Sequence, residues 1–152
     1  MVESPRPIRA VDLMGPIETV SAHATAREAV KLLLAHERDG LIVVDESARP
    51  VGIVMRQDFL ALFVPRLFLS EQAVTDEFLA ETEDVLEDAG RTLIRELMGG
   101  RVFTVSADAD LQEVVHFLVD KEASLVVVEE KGRLAGSITP RDVFMVLFKG
   151  LG

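Results

Sequence analysis

The sequence contains no cysteine among its 152 residues, and this absence removes several classes of function. There can be no disulfide bond, no thiol nucleophile and no thiolate metal ligand. No stretch approaches the ~18 consecutive apolar residues of a membrane-spanning helix, and residues 1–10 lack the apolar run of a secretory signal. We therefore expect a soluble, cytoplasmic protein.

Basic residues are also scarce. The 16 Lys and Arg residues are scattered and face 26 Asp and Glu residues, which gives a formal net charge of −10. Such a surface repels polyanions, so we expect no nucleic-acid partner and no membrane partner. A single small nucleotide remains compatible with this charge, because one local Arg and one helix terminus can outweigh the global field.

The usual motifs of catalysis and of metal binding are missing as well. There is no Gly-rich phosphate loop, nucleophile elbow or HExxH sequence. His23, His36 and His116 have no second His four residues away, which indicates solvated side chains rather than metal ligands. The acidic run 71–88 lacks the alternating ligands and central Gly of a calcium loop. We expect no enzymatic activity, no catalytic residues, no metal and no required cofactor.

What the chain does contain is an internal duplication: residues 11–63 and 95–147 carry the same pattern. The shared landmarks keep an offset of 84 residues: Met14 and Met98, Gly52 and Gly136, Asp58 and Asp142. Thr19 matches Thr104 at an offset of 85, and the alignment drops one residue again before Leu125. Two similar units are expected to pack about a pseudo-two-fold axis with equivalent clefts where they meet, so function is expected between the halves.

Each repeat predicts the element order β-α-β-β-α, an α/β (α+β) fold. The predicted strands are 17–20, 41–45, 50–54, 101–105, 125–129 and 134–138, and the predicted helices are 25–36, 57–64, 110–121 and 141–148. Thr25 and Glu28 have capping-box spacing, and Asp110 is a candidate cap of the equivalent helix. The runs LIVV and LVVV lack alternation, which predicts strands buried on both faces. We divide the chain into repeat 1 (8–64), a linker (65–92) and repeat 2 (93–149).

The linker carries eight acidic residues between Glu71 and Asp88 and no basic one. Its apolar residues recur at helical spacing: Val74, Phe78, Leu79, Val85, Leu86 and Ala89. This periodicity predicts an acidic amphipathic helix rather than a disordered spacer. Met14 and Met98 are expected in the core.

The opening and closing elements of the repeats resemble a known family. The openings are VDLM at 11–14 and IRELM at 94–98, and the closings are GIVMRQD at 52–58 and GSITPRD at 136–142. This pattern resembles the CBS domain, and two copies at matched spacing resemble a tandem CBS pair, or Bateman module. Nearly everything outside the acidic linker takes part in the resemblance.

The resemblance implies a stand-alone regulatory module that binds an adenosine compound (AMP, ADP, ATP or S-adenosylmethionine) in the clefts between repeats. It implies that the closing Thr and Asp contact phosphate or ribose, while apolar strand residues and backbone groups hold the adenine. The candidate ligand-binding residues are therefore Thr139, Asp142, Arg141, Thr104, Ser124, Leu125, Ile138, Asp58, Thr19, Gly40, Leu41 and Ile53.

Elementary chemistry supports the strongest of these candidates. The Asp142 carboxylate accepts hydrogen bonds only, which suits the two donor hydroxyls of a ribose. Thr139 directly precedes a helix whose free N–H groups favour a phosphate, and Arg141 adds positive charge there. A purely structural alternative remains, in which Thr139 caps the helix and Asp142 favours its dipole.

Repeat 1 departs from the pattern at Met55, where the family usually has Ser or Thr. The substitution removes a hydroxyl and introduces a flexible thioether. Asp58 keeps the carboxylate, either for a ribose or as a solvated first-turn acid. We expect ligand binding to differ between the two clefts.

Two functions follow as hypotheses. The first is a nucleotide-sensing regulatory module that signals to an unidentified effector protein. The alternative is a structural dimerisation or interaction module with unoccupied clefts. The closing helix of repeat 2, VFMVLF at 143–148, is apolar around its circumference, which favours burial on more than one side and a homodimer.

Overall fold

The computed structural model describes residues 5–36, 39–62, 75–77, 83–99 and 101–151. The chain forms two compact units. The continuous unit is residues 18–101, and the split unit joins residues 1–17 to residues 102–152. Each unit therefore combines the sheet and helices of one repeat with the opening segment of the other repeat.

The predicted β-α-β-β-α elements follow each other in order, and short helices that were not predicted stand at 10–13, 94–96 and 149–151. The elements are α1 (Ala10–Leu13), β1 (Thr19–Ser21), α2 (Ala26–Ala35), β2 (Gly40–Val44), β3 (Pro50–Met55), a 3₁₀ helix (Arg56–Leu62), α3 (Glu83–Arg91), a 3₁₀ helix (Ile94–Glu96), β4 (Phe103–Ser106), α4 (Leu111–Val115), a π-helical turn (His116–Asp120), β5 (Val126–Glu130), β6 (Arg133–Ile138), α5 (Pro140–Phe148) and a 3₁₀ helix (Lys149–Leu151).

Each unit contains one three-stranded sheet. The orders are β1-β2-β3 and β4-β5-β6, with the first pair parallel and the second pair antiparallel in both sheets. The middle strands are buried on both faces, since residues 40–43 and 126–128 all belong to the buried class. The predicted mixed α/β fold is confirmed. No helix in the described ranges is long and apolar enough to cross a membrane.

The predicted helix starts are confirmed by their capping contacts. The Glu28 N–H donates to Oγ1 of Thr25 at 3.2 Å, and the Thr25 N–H donates to the Glu28 carboxylate at 3.1 Å. Oδ1 of Asp110 accepts from the Glu113 N–H at 2.9 Å. Two first-turn N–H groups that lack helical partners are thereby satisfied.

Two helices differ from expectation. The segment predicted as helix 57–64 winds as a 3₁₀ helix over Arg56–Leu62, beginning after Met55, which offers no side-chain oxygen to the first turn. The helix predicted at 110–121 changes from α to π at His116, where the Lys121 N–H reaches back five residues to the His116 carbonyl at 3.2 Å. A sequence pattern with period 3.6 does not distinguish these local windings.

The strand register corrects the alignment of the two repeats. Leu41 pairs with Val54 in one sheet, and Val126 pairs with Ile138 in the other. The middle strands are therefore offset by 85 residues, while β3 and β6 are offset by 84. The prediction that the alignment drops one residue before Leu125 is wrong. The missing residue lies in the hairpin turn, which is one residue shorter in repeat 2 than in repeat 1. In repeat 2, β5 and β6 are joined by only Lys131 and Gly132, both with positive φ.

In the split unit, the opening segment of repeat 1 packs on the sheet of repeat 2. The N–H of Gly15 donates to the Ser137 carbonyl at 2.9 Å, beside β6. A Cβ on Gly136 would lie 2.7 Å from the Gly15 carbonyl oxygen and 2.9 Å from Sδ of Met14. Glycine is therefore required at position 136 for this close approach.

The continuous unit repeats this arrangement with the segment that follows α3. The Gly99 N–H donates to the Ile53 carbonyl at 2.9 Å, and a Cβ on Gly52 would lie 2.9 Å from the Gly99 carbonyl oxygen. Ile94 is completely buried in the core of this unit. Met14 and Met98, expected in the core, are half-buried and pack against the cores of their units.

The acidic linker falls mostly outside the described residues. Residues 83–91 form α3, as predicted, and Ala89 is buried in the core of the continuous unit. The expected apolar positions Val74, Phe78 and Leu79 lie outside the described residues.

Candidate functional site

The turn from β6 into α5 joins the two residues for which the sequence argument is strongest. Thr139 is the N-cap of α5 and is only 5% exposed. Its N–H donates to Oδ2 of Asp142 at 2.8 Å, and its hydroxyl donates to the same oxygen at 3.0 Å. The Asp142 N–H donates to Oγ1 of Thr139 at 3.3 Å. The two side chains are thus arranged as a capping box, with the carboxylate half-buried at the helix N-terminus.

The surrounding backbone supplies a further donor and positive potential. Pro140 occupies the first helical position, where its missing N–H costs no helical hydrogen bond. The Asp142 N–H is engaged by Thr139 Oγ1, which leaves the Arg141 N–H as the first-turn donor. The N-terminal end of the helix dipole favours negative charge. Arg141 is exposed at this end of the helix. This turn can hold an anion next to a carboxylate that accepts hydroxyl donors.

The sheet face beside this turn carries a second hydroxyl that the sequence argument missed. Thr104, Val127 and Ser137 are register partners across the sheet, so their side chains share one face, and Thr139 follows Ser137 by two residues on that face. Ser137 is 3% exposed, and within the described ranges it and Thr139 are the only polar residues classed as buried. The one signal in the sequence was the i, i+2 spacing to Thr139.

The remaining candidates of repeat 2 divide between the two faces of the sheet. Ile138 belongs to the apolar core of the split unit, so only its backbone faces the other side. Leu125 is 2% exposed but is not part of that core cluster. Ser124 and Thr104 are exposed. The structure therefore groups Thr139, Asp142 and Arg141 closely, with Thr104 on the neighbouring sheet face.

The equivalent turn in repeat 1 keeps the carboxylate and loses the hydroxyl. The N–H of Met55 donates to Oδ2 of Asp58 at 2.7 Å, and Asp58 is half-buried rather than a solvated acid. Thr19 is exposed, and it shares a sheet face with Ile42 and Ile53, its neighbours across β2 and β3.

The two remaining candidates of repeat 1 have different surroundings. Leu41 packs in the apolar core of the continuous unit. Gly40 is the register partner of Met55, and a Cβ on Gly40 would collide with Sδ of Met55. The Met55 side chain is therefore folded back across β2, and it is 9% exposed. It does not extend freely from the turn, contrary to the expectation of a flexible thioether.

The three histidines are exposed, as predicted, and each lies beside a carboxylate. Their closest carboxylate oxygens are Oε1 of Glu46 for His23 at 3.2 Å, Oε1 of Glu18 for His36 at 3.1 Å and Oδ2 of Asp120 for His116 at 2.8 Å. Among the residues that the structure describes, no group of three or more His, Asp or Glu side chains is arranged to hold a metal ion.

Among the residues that the structure describes, one carboxyl group has a clearly perturbed pKa, and it lies in the opening segment of repeat 1. The Arg9 backbone N–H, which donates to Oδ2 of Asp12 at 2.9 Å, lowers the pKa of Asp12, and the Arg6 guanidinium at 2.8 Å from Oδ1 lowers it further. Asp12 thus holds the start of α1 as an ionised cap.

The comparisons with known proteins agree on one family. The family model described as the CBS domain matches residues 8–64 and 94–149. A curated relative, an uncharacterised protein of Methanopyrus kandleri, is 28% identical over 129 residues, which cover 84% of this chain and 56% of the relative. The chain thus spans about half the length of that relative.

Solved structures agree on the fold. A CBS-domain protein of unknown function from Kribbella flavida has a TM-score of 0.71 at 24% identity and covers 92% of this chain and 99% of its own. The protein CBSX2, solved in complex with AMP, has a TM-score of 0.66 at 20% identity and covers 95% of this chain and 98% of its own. The duplicated turns, the two sheets of identical order and the two family matches lead to one conclusion: the chain belongs to the CBS-domain family, of which it carries two repeats in tandem.

Proposed function

We propose that this protein is a regulatory module that binds an adenosine nucleotide at the Thr139–Asp142 turn and reports its occupancy to a partner protein. Members of the CBS family are generally regulatory rather than catalytic, and one structural neighbour was solved with AMP bound. The observation that carries the proposal is the buried pair of hydroxyls, Ser137 and Thr139, on one sheet face beside a carboxylate and a helix N-terminus. Burying polar groups is costly, so their concentration at one place indicates a use.

The bound state follows from the donors and acceptors of the turn. The vicinal ribose hydroxyls donate to the Asp142 carboxylate, and the phosphate accepts from the Thr139 hydroxyl and from the Arg141 backbone N–H. In the structure the Thr139 hydroxyl donates to Asp142, so it must rotate toward the phosphate when the nucleotide binds. The ligand then compensates Asp142 for the lost donor with a ribose hydroxyl, and Arg141 adds favourable charge.

The ligand test is a panel of AMP, ADP, ATP and S-adenosylmethionine in thermal melting and calorimetry. A nucleotide at 100 times its Kd should stabilise the protein by about 2.7 kcal/mol, which a melt detects. Asp142→Ala should weaken binding by roughly 10–100-fold, because one or two charge-assisted hydrogen bonds are lost and water replaces part of them.

The control for this variant is Glu28→Ala, because Glu28 is the capping-box carboxylate of α2 in the other unit. It should lower stability without changing nucleotide affinity. No binding of any adenosine compound to the wild type contradicts the proposal, and so does an unchanged affinity in Asp142→Ala.

A second proposed property, homodimerisation, rests on exposed apolar residues that recur in both repeats. Leu34 and Val119 occupy equivalent positions on the first helix of each repeat and are 82% and 65% exposed. Leu60 and Phe144 occupy equivalent positions on the closing helices and are 64% and 59% exposed. A duplicated apolar pattern fits a partner with the same repeat, which is a second copy of the chain.

The dimer is tested by light scattering at micromolar concentration. The expected mass is about twice the 16.7 kDa of one chain. Phe144→Glu should shift the mass toward the monomer, while Leu151→Glu, an exposed apolar position outside the repeated set, should leave the dimer intact. A monomeric wild type contradicts the proposal. Dimers with no nucleotide binding would favour the structural alternative over the sensor.

A further inference from the structure

The end of the β2–β3 hairpin shows how repeat 1 departs from repeat 2. Gly40 and Met55 are register partners there. A Cβ on Gly40 would lie 3.3 Å from Cε of Met55 and closer still to its Sδ. The methionine side chain therefore fills the volume that a larger residue at position 40 would occupy. We call this contact the Gly40–Met55 lock.

In repeat 2 the large residue of the corresponding pair stands on the opposite strand. Continuing the register from the pair Val126–Ile138 places Leu125 opposite Thr139. Leu125 is 2% exposed and supplies the bulk, while Thr139 is small and carries the hydroxyl. The larger residue of the pair is thus on the last strand of the sheet in repeat 1 (Met55) and on the middle strand in repeat 2 (Leu125). In repeat 1 it stands at the position from which a hydroxyl would meet the ligand.

The residues around the Gly40–Met55 lock also offer fewer hydrogen-bonding groups than their equivalents in repeat 2. A thioether donates no hydrogen bond and accepts weakly, so Met55 cannot replace the Thr139 hydroxyl. Ile53 stands where repeat 2 has Ser137, which leaves this sheet face without a buried hydroxyl.

The positive charge that follows Met55 in the chain is already paired with a carboxylate. The guanidinium of Arg56 forms an ion pair with the Asp39 carboxylate, and the backbone N–H of Arg56 donates to the Asp39 carbonyl at 3.0 Å. The equivalent positions in repeat 2 are Pro140 and Ser124, which cannot form an ion pair. The guanidinium next to Met55 is therefore already neutralised by a carboxylate.

From these contacts we infer that the chain binds one nucleotide rather than two, at Thr139–Asp142, and that the Gly40–Met55 lock makes the equivalent turn of repeat 1 a purely structural one. The inference rests on the proposed function and assigns its stoichiometry. In repeat 1 the Asp58 carboxylate serves the backbone N–H of Met55 and holds the turn, without a ligand.

Calorimetric titration with AMP, ADP and ATP tests the stoichiometry. We expect one nucleotide per chain, a 10–100-fold loss of affinity in Asp142→Ala and an affinity within twofold of wild type in Asp58→Asn. Met55→Thr should still bind one nucleotide, because the shortened side chain leaves a void over Gly40 rather than a site. Two nucleotides per chain, or a tenfold loss in Asp58→Asn, overturns the inference and leaves the proposed function standing. Absence of any binding contradicts the proposed function itself.

The lock has a readout that needs no ligand. Gly40→Ala should lower the Tm by several degrees, roughly 3–8 °C, because the new Cβ meets Met55 and the Val54 carbonyl oxygen at 2.8 Å. In a Met55→Ala background the same substitution should cost about half as much, since only the backbone contact remains. Equal costs in both backgrounds would show that Met55 does not fill this volume, and would remove the structural basis of the inference.

Discussion

The strand-to-helix turns of the two repeats share one hydrogen bond but differ in the residue that donates it. In both turns, an Asp three residues later in the sequence accepts a hydrogen bond from the backbone N–H of the turn residue. The distance is 2.8 Å from Thr139 to Asp142 and 2.7 Å from Met55 to Asp58. Only the Thr139 turn adds a hydroxyl. The shared bond is the one that the fold needs, because it satisfies a backbone donor at a helix start. The hydroxyl caps α5 in repeat 2, and repeat 1 starts its 3₁₀ helix without one.

This comparison predicts which substitutions act on the fold and which act on the ligand. The largest losses of stability are expected where the opening segment of one repeat packs into the core of the unit that holds the other repeat. Ile94→Ala should destabilise the protein by about 2–5 kcal/mol, and Leu13→Ala should do so by a similar amount in the split unit. Val11→Ala, at a 43% exposed position of the same segment as Leu13, is the control and should cost little. Chemical denaturation measures all three. A small effect of Ile94→Ala would show that residues 94–99 are not part of the core.

Overpacking at the strand glycines should have the next largest effect. Gly136→Ala places a Cβ 2.7 Å from the Gly15 carbonyl oxygen, and Gly52→Ala places one 2.9 Å from the Gly99 carbonyl oxygen. Each should cost about 1–3 kcal/mol, because the partner is backbone and cannot swing away. Gly90→Ala is the matched control. Its Cβ meets nothing closer than Arg27 Cδ at 4.0 Å, so in α3 it should stabilise by about 0.5–1 kcal/mol. Equal shifts at the three glycines would contradict the close approach.

Substitutions at the helix caps distinguish an effect on stability from an effect on nucleotide binding. Thr139→Ala and Thr25→Ala each remove a capping hydroxyl and should each cost about 0.5–2 kcal/mol of stability. Only the change at Thr139 should weaken nucleotide binding, and Thr139→Ser should restore both properties. Denaturation and calorimetry on the same samples give the two readouts. If Thr25→Ala weakened binding as much as Thr139→Ala, the loss would reflect stability rather than contact with the nucleotide.

The smallest effect is a pH dependence in the opening segment. The pKa of Asp12 is lowered in the folded protein, chiefly by the Arg9 N–H and then by Arg6, so its ionised form favours folding. That contribution is fully present above the unfolded pKa of about 3.9 and is lost as the pH falls through the folded value. The Tm difference between wild type and Asp12→Asn should therefore be largest near neutral pH and should narrow below about pH 4. Arg6→Ala should show a smaller version of the same profile. A difference that is constant with pH would exclude this titration.

Much of the fold could be predicted because the relevant signals are local. Capping spacing located Thr25 and Asp110, and the unbroken apolar runs located β2 and β5. The candidate site was partly predictable for the same reason, since Thr139 and Asp142 interact through a three-residue spacing within one turn. Ser137 was missed because its burial depends on its neighbours across the sheet, which lie far away in sequence.

The sequence by itself determined the duplication, the order of the strands and main helices, and the pairing of Thr139 with Asp142. The duplication can be read from the residues themselves, and the other two depend on contacts within a few residues. Tertiary structure decided which opening segment belongs to which unit, where the register loses its residue and how Met55 is placed over Gly40. These features depend on contacts between residues that are far apart in sequence. They are set by which apolar surfaces are buried against each other and by how closely two backbones can approach, and neither can be read from a local sequence pattern.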